Sequence, residues 1–543
     1  MADRENANFA ILSGSYCSPE ISAEFGKLPP SFIPLGQGRL YDRQLALARA
    51  CNARPVLSIP SNYVIQPWDA EKLAQEGVRV VRSPTSLTLN EAAQFVLEVI
   101  DATGPLYILY GDTLVEGDRL VELDQAAVHR TRSNYHWAEA HVGENGMLHI
   151  SSGYGDGTQD RSVLCGYFSF SDAMALRRAC VTGDNFDASI ETYARNKNLR
   201  TIEVREWHDF GHLSLIYQSR RNVMVSRSFN SIHSDGVALA KTSSKKAKIR
   251  AEAHWYESIP GALRVFTPQY LGHDSGAGSY RLEYLYLPTL AELFTFGELP
   301  AYAWNQIMES CLDFLRECRN HQPAKDSEQA SPKRAERIFD NLFRRKTQDR
   351  VQTFLKSRGW DDTVRVSING RQHAPISDVC QRLLDYIAPT RPEHITVWHG
   401  DFFFGNMLYD FRAGRVRVVD PRGGDTDTDC TIYGDNRYDV AKLAHSIMGG
   451  YDSLLVGRVD FEELNPTTFR FDRCTTPAQE GIVEIFASLE VNGAPLWTDE
   501  IRAMTALLFL TMLPLHVDDP RRQNIMLCNG LLMADDLFNK SES

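Results

Sequence analysis

The sequence predicts an α/β chain in two parts: a mostly parallel sheet wrapped by helices, then a two-lobed α+β region. Three observations carry this. Residues 8–220 alternate short β-like runs with helical stretches, residues 228–290 hold β-like runs around one helix, and helical patterns dominate from about 300 onward. Alternation of strand and helix implies crossover connections between parallel strands. The change of character near 220–226 separates an expected first domain, 1–222, from a second, 223–543, with lobes 223–298 and 299–543.

In the first part, NFAILSG (8–14), ARPVLSIP (53–60), VRVVRS (78–83), LYILYGD (106–112) and RTIEVREW (200–207) read as strands. RLYDRQLALARAC (39–51), WDAEKLAQEG (68–77) and LNEAAQFVLEVIDAT (89–103) read as helices. In the second part, VALAKTSS (237–244) and SYRLEYLYLP (279–288) flank the helical KKAKIRAEAHWYESI (245–259). The basic stretch 333–358 places Ile338, Leu342 and Phe354 on one apolar face, so a packing helix is expected. Its charged side is left as an alternative phosphate-binding or partner surface.

Composition narrows the classes. Of 543 residues, 43% are hydrophobic and 24% charged, with a net charge of −12. Such a chain buries sizeable cores without disulfides. The acidic balance argues against broad nucleic-acid or membrane-surface binding. Ten cysteines are scattered with no metal-like spacing, no basic-then-apolar leader opens the chain, and the longest apolar run is ALLFLTMLPL (506–515). That run is about half of a membrane span. A cytoplasmic protein with reduced thiols and small-molecule substrates is expected, with no nucleic-acid partner and no membrane insertion. A homo-oligomer is left open.

The segment WHGDFFFGNMLYD (398–410), followed by VVDPRGG (418–424), suits phosphoryl transfer. That chemistry needs a positioned nucleophile, Mg²⁺ on the phosphate oxygens and a cation on the outer phosphates. Asp401 can take the proton of an acceptor hydroxyl. Asn406 and Asp420, the latter closing the run RVRVVD, offer oxygen ligands to Mg²⁺. His399 is expected to orient the catalytic loop without titrating. Lys241 closes GVALAK in the setting where a kinase lysine meets the nucleotide phosphates, with Glu252 on the next helix as its ion-pair partner. Backbone groups from Glu283 to Leu285 are candidates for the adenine ring. No Gly-rich loop precedes Lys241; SRSFNSIHSDG (226–236) is the nearest candidate.

In the first part, LYILYGDTLVEGD places Asp112 after one strand and TIEVREWHDFGH places Asp209 after another. Two carboxylates at strand ends can hold one Mg²⁺ against a nucleotide's phosphates, where ligands bind in such sheets. A substrate phosphate would then attack the α-phosphorus and expel pyrophosphate.

The C-terminal motif resembles the aminoglycoside phosphotransferase/choline kinase family, whose fold is similar to protein kinases. YGDNRYDVAKLAHSIMGGYD (433–452) and LPLHVDDPRRQ (513–523) resemble members from bacterial capsule and surface-polysaccharide gene sets. This resemblance covers about 223–543. It implies ATP and Mg²⁺, with Asp401 as base and Asn406 and Asp420 as metal ligands, and leaves the acceptor open. Residues 8–220 are similar to the sugar-phosphate nucleotidyltransferases, a Rossmann-like fold. That resemblance implies a second NTP (CTP, UTP or GTP) and Mg²⁺ on Asp112 and Asp209. The family's Gly-rich turn is replaced by SGSYCSPEISAEFGK, and its Pro-Lys lysine by Pro30-Ser31. Lys27, Arg39 or Arg43 are candidates to substitute. The expectation is a bifunctional enzyme: a kinase for a polyol, sugar or amino alcohol, and a nucleotidyltransferase acting on the resulting phosphate. The alternative is a kinase whose N-terminal domain only binds a ligand or regulates.

Overall fold

In a computed structural model, residues 7–143, 147–155, 157–225, 232–234, 236–274, 276, 278–426, 429–491 and 493–542 are described. The chain forms two compact units, 1–224 with 296–298, and 225–295 with 299–543. The candidate loop 226–236 lies largely outside the described residues.

The first unit is built on β1 (Asn8–Leu12), β2 (Arg54–Pro60), β3 (Arg79–Ser83) and β4 (Leu106–Tyr110). β1 lies parallel between β4 and β2, and β3 continues parallel on β2. Phe9, Ala10 and Ile11 are at most 1% exposed, which is why β1 reads as an unbroken apolar run: a central parallel strand is covered on both faces. Helices Leu40–Ala50, Pro67–Gln75 and Leu89–Val99 fill the crossovers. The third starts at a capping box, with Glu91 accepting from the Thr88 N–H (2.8 Å).

Apart from the stretch 200–207, the rest of this sheet is not among the elements expected from the sequence. A long strand, Arg161–Phe170, runs antiparallel to β4 and carries further antiparallel strands, Gln125–Thr131 and His136–Val142. The stretch 200–207, read as one strand, is two. Arg200–Glu203 pairs parallel with Gln125–Thr131, whereas Glu206–Asp209 pairs antiparallel with Thr113–Glu116 in a separate ribbon. The break at Val204-Arg205 aims Asp209 at the sheet end where Asp112 sits.

The second unit opens with a four-stranded antiparallel sheet, ordered 232–234, 238–242, 279–283, 270–274. Lys246–Ser258 is the helix that follows the second of these strands. The remainder is mainly helical, including Ala301–Arg319, Asn436–Ile447, Asp499–Thr511 and Pro520–Glu542. Residues 332–358 form helix throughout, with a π turn at Asp340–Arg344. Ile338, Leu342 and Phe354 are at most 2% exposed. Among the described residues, no helix is long and apolar enough to cross a membrane.

Candidate active sites

In the second unit, a short hairpin positions the acidic groups. Met407–Asp410 pairs antiparallel with Arg415–Val418, Met407 opposite Val418. Asn406 therefore enters the hairpin where Asp420 leaves it, and the Val419 N–H donates to the Asn406 carbonyl at 3.0 Å. Asp420 has φ +58°. Left-handed backbone is uncommon outside glycine, tolerated by Asp, and concentrated at functional sites.

The loop before the hairpin is held from below. The buried Asp439 carboxylate accepts the backbone N–H groups of His399 and Gly400, both at 2.7 Å. Ser446 accepts the Phe404 N–H at 2.9 Å. Both props sit on helix Asn436–Ile447. From the other lobe, the Trp255 indole donates to the Trp398 carbonyl at 2.6 Å. His399 is wholly buried, with Nε2 3.0 Å from the Val419 carbonyl. Burial pulls its pKa down to about 4, so the ring is neutral near pH 7 and acts by hydrogen bonding.

The chemistry-bearing side chains converge. Asn406 donates through Nδ2 to the Asp401 carboxylate (2.9 Å) and to its carbonyl (3.0 Å), leaving the amide oxygen for a cation. Lys241 Nζ lies 2.9 Å from Glu252 and 3.0 Å from Asp420. Tyr280 OH also donates to Glu252, at 2.8 Å. Burial opposes the Lys241 charge, but Asp420 and Glu252 outweigh it and hold the pKa above its ordinary value.

Sequence reasoning missed Lys442, whose ammonium lies 2.8 Å from Asp401. Burial works to raise the Asp401 pKa, and Lys442 more than offsets it, so the carboxyl sits below its ordinary value. Lys442 lies three residues after Asp439, one helical turn on. That spacing was the available signal. At the proposed adenine edge, the Glu283 N–H is engaged by the Gln269 carbonyl (2.9 Å) and the Tyr284 N–H by Val237 (3.0 Å). Leu285 follows just beyond the strand, half-buried.

In the first unit, the two carboxylates meet. Asp209 pairs with Thr113, the residue after Asp112, and the Phe210 N–H donates to the Asp112 carbonyl at 2.8 Å. A Cβ placed on Gly211 would lie 2.6 Å from Asp112 Oδ2 and 3.3 Å from Asp209 Oδ1. Glycine is thus the residue that lets both acids face one space. Burial, then the Asp209 charge, pushes Asp112 up to about 6. Asp209 is oriented by the Gly211 N–H (2.7 Å), the Trp137 indole (3.0 Å) and His212 Nδ1 (3.0 Å). Both acids could hold one divalent cation, with His212 alongside.

Of the candidate basic substitutes, Arg39 is placed otherwise. Arg39 is 2% exposed and spent on Asp69, with Nε at 2.9 Å and Nη2 at 2.7 Å. It fastens helix Leu40–Ala50 to the next crossover helix rather than facing the two acids. Lys27 is exposed, with Nζ 4.4 Å from the Tyr16 ring centre. Ser31 is fully buried: its N–H donates to Ser13 Oγ (3.0 Å) and its hydroxyl to the Gly111 carbonyl (3.2 Å).

No curated protein matches the chain. Several solved structures resemble it over its first two fifths. A Bacillus anthracis protein assigned as a glucose-1-phosphate thymidylyltransferase shares 11% identity, over 41% of this chain and 96% of that one, with a TM-score of 0.33. CTP:phosphocholine cytidylyltransferase from Streptococcus pneumoniae shares 12% identity over 40% of this chain and 98% of its own, with a TM-score of 0.30. The inositol-1-phosphate CTP transferase from T. maritima shares 12%, over 41% and 96%, with a TM-score of 0.31. For the second unit the finding is a family match: residues 234–471 match the phosphotransferase enzyme family.

Proposed function

We propose that the chain carries out two consecutive magnesium-dependent steps. In residues 223–543, ATP phosphorylates a hydroxyl of a small acceptor. The acceptor oxygen bonds to the γ-phosphorus, the bond to the bridging oxygen breaks, ADP leaves with that electron pair, and Asp401 takes the proton. Asn406 and Asp420 would hold Mg²⁺, whose contribution is to neutralise charge on the phosphate oxygens. Lys241, kept in place by Glu252, meets the α/β-phosphates. The observation that carries this reading is the convergence of Asp401, Asn406, Asp420 and Lys241. In residues 1–222, the new phosphate attacks the α-phosphorus of CTP, UTP or GTP and pyrophosphate leaves; Asp112 and Asp209 would hold a divalent cation, which would neutralise charge on the triphosphate. The product would be an NDP-activated precursor for a capsule or other surface polysaccharide. Tethering raises the local concentration of the intermediate only where geometry allows transfer.

The test is direct. ATP is offered with Mg²⁺ and a panel of polyols, sugars and amino alcohols, and products are read by mass. Each NTP is then added and pyrophosphate assayed. Phosphorylated product, followed by pyrophosphate release that Asp112→Asn abolishes, supports both steps.

One observation favours a second reading, in which the N-terminal unit binds a ligand or regulates without catalysing. Ser31 is buried in hydrogen bonds and Arg39 is committed to Asp69, so neither offers a cation to a triphosphate. Phosphorylation without pyrophosphate release from any NTP supports this reading.

A further inference from the structure

A cavity of about 350 Å³ opens beside Asp401 and Asp420 in the second unit. Its wall is basic. Lys346 and Arg350 enter from helix 332–358, Arg422 follows the metal-proposed Asp420, and Lys442 comes from the helix that props the catalytic loop. Lys245 and Lys248 stand at the rim. Asp401 and Asp420 are the carboxylates of this lining, and each already has a lysine: Lys442 at 2.8 Å and Lys241 at 3.0 Å.

Two of the remaining cations, Lys346 and Arg422, face neutral groups. Lys346 donates to Tyr438 OH at 2.8 Å, Arg422 to the Asp425 carbonyl at 3.2 Å and Arg350 to the Thr511 carbonyl at 3.1 Å. Among the described residues, neither Lys346 nor Arg422 has a carboxylate within ion-pair distance. Crowded, partly buried positive charge without counter-charge is costly, and a bound anion relieves it. The neighbours register the crowding. Burial lowers Lys346 to about 8, with Arg422 and Arg350 adding to the effect. Burial alone would raise the Tyr438 phenol, yet Lys346, Lys442 and Arg422 bring it down to about 7.

We infer that the acceptor of the proposed kinase reaction carries its own anionic group, a carboxylate or a phosphate, gripped by Lys346, Arg350 and Arg422 while its hydroxyl meets Asp401. This rests on the kinase reading and narrows it: neutral polyols and amino alcohols lack the group this wall is built to hold. It also gives a use to the charged side of helix 332–358, whose apolar side is spent on the core.

The experiment uses the full chain saturated with Mg²⁺ and AMP-PNP, so that the γ-phosphate position is filled. Inorganic phosphate, glycerate and glycerol 3-phosphate are titrated by calorimetry against glycerol and ethanolamine. Charged hydrogen bonds predict that an anion binds about tenfold or more tightly than its neutral or cationic counterpart, and that Lys346→Met or Arg350→Met removes about tenfold of that affinity. Lys346→Arg should retain it. Phosphate binding without glycerate binding assigns a phosphate; the reverse assigns a carboxylate. The inference is overturned if no anion binds the nucleotide complex, if ethanolamine binds better, or if both methionine variants leave anion affinity unchanged. Failure of AMP-PNP to bind with Mg²⁺ is a separate result that overturns the kinase reading itself.

Discussion

Replacing Asp112 by Asn tests whether the two N-terminal acids share one space. Asp112 is pushed from the ordinary 3.8 to about 6 by burial and then by Asp209. Each pH unit of displacement is worth 1.36 kcal/mol, so ionising Asp112 in the folded unit costs about 3 kcal/mol relative to the unfolded chain. The sign follows from a folded pKa above the unfolded one. The favourable protonated state is fully present below pH 3.8, and its stability is lost as pH rises through about 6. Asn cannot ionise and escapes that loss. In EDTA, the variant should therefore equal wild type near pH 4 and exceed it by up to about 3 kcal/mol at pH 7.5. Hydrogen exchange of peptides spanning 106–116 and 203–213 reads this locally, whatever the second unit does. Millimolar Mg²⁺ should protect these peptides in wild type and much less in the variant. A variant no more protected than wild type at pH 7.5, with the same Mg²⁺ response, would refute the shared carboxylate site.

Other outcomes follow from the same geometry. Lys442→Met removes the charge that keeps Asp401 ionised, so the acid limb of kcat/KM for phosphorylation should move up by about 1–3 pH units; an unmoved limb would separate Lys442 from the base. Lys241→Met loses a charge-assisted contact to the nucleotide phosphates and should cost about 10–100-fold in kcat/KM for ATP, with Glu252→Gln giving a smaller loss of the same kind. Gly211→Ala puts a methyl group 2.6 Å from Asp112 Oδ2, and should abolish Mg²⁺ protection of the N-terminal peptides while leaving phosphorylation intact.

The parts legible in the sequence were those carried by short spacing. His399, Asp401 and Asn406 lie within eight residues and Asp420 closes the next strand, so local periodicity placed them together. Asp112 and Asp209 were visible because each ends a strand, although the strand before Asp209 was really two. What escaped was long-range pairing. Lys442 and Asp439 support the loop from a helix some forty residues later, and Lys346 and Arg350 reach the cavity from a helix well upstream of the motif. Lys442 carried only its one-turn spacing from Asp439, and no local pattern distinguishes Lys346 and Arg350 from ordinary surface charge. Arg39 shows the converse: it was a candidate to substitute for the family's missing basic groups, but Asp69, thirty residues on, is its partner. A buried arginine goes to the nearest carboxylate the fold supplies, and the fold is not written in the flanking residues.

The most direct measurement is transfer of the γ-phosphoryl group from ATP by the Asp401→Asn chain, alongside its affinity for AMP-PNP. General-base loss predicts phosphorylation reduced by about 10²–10⁴-fold with nucleotide affinity preserved. Wild-type turnover in that variant would contradict the account, because the group it assigns to the acceptor's proton would then have no part in the reaction.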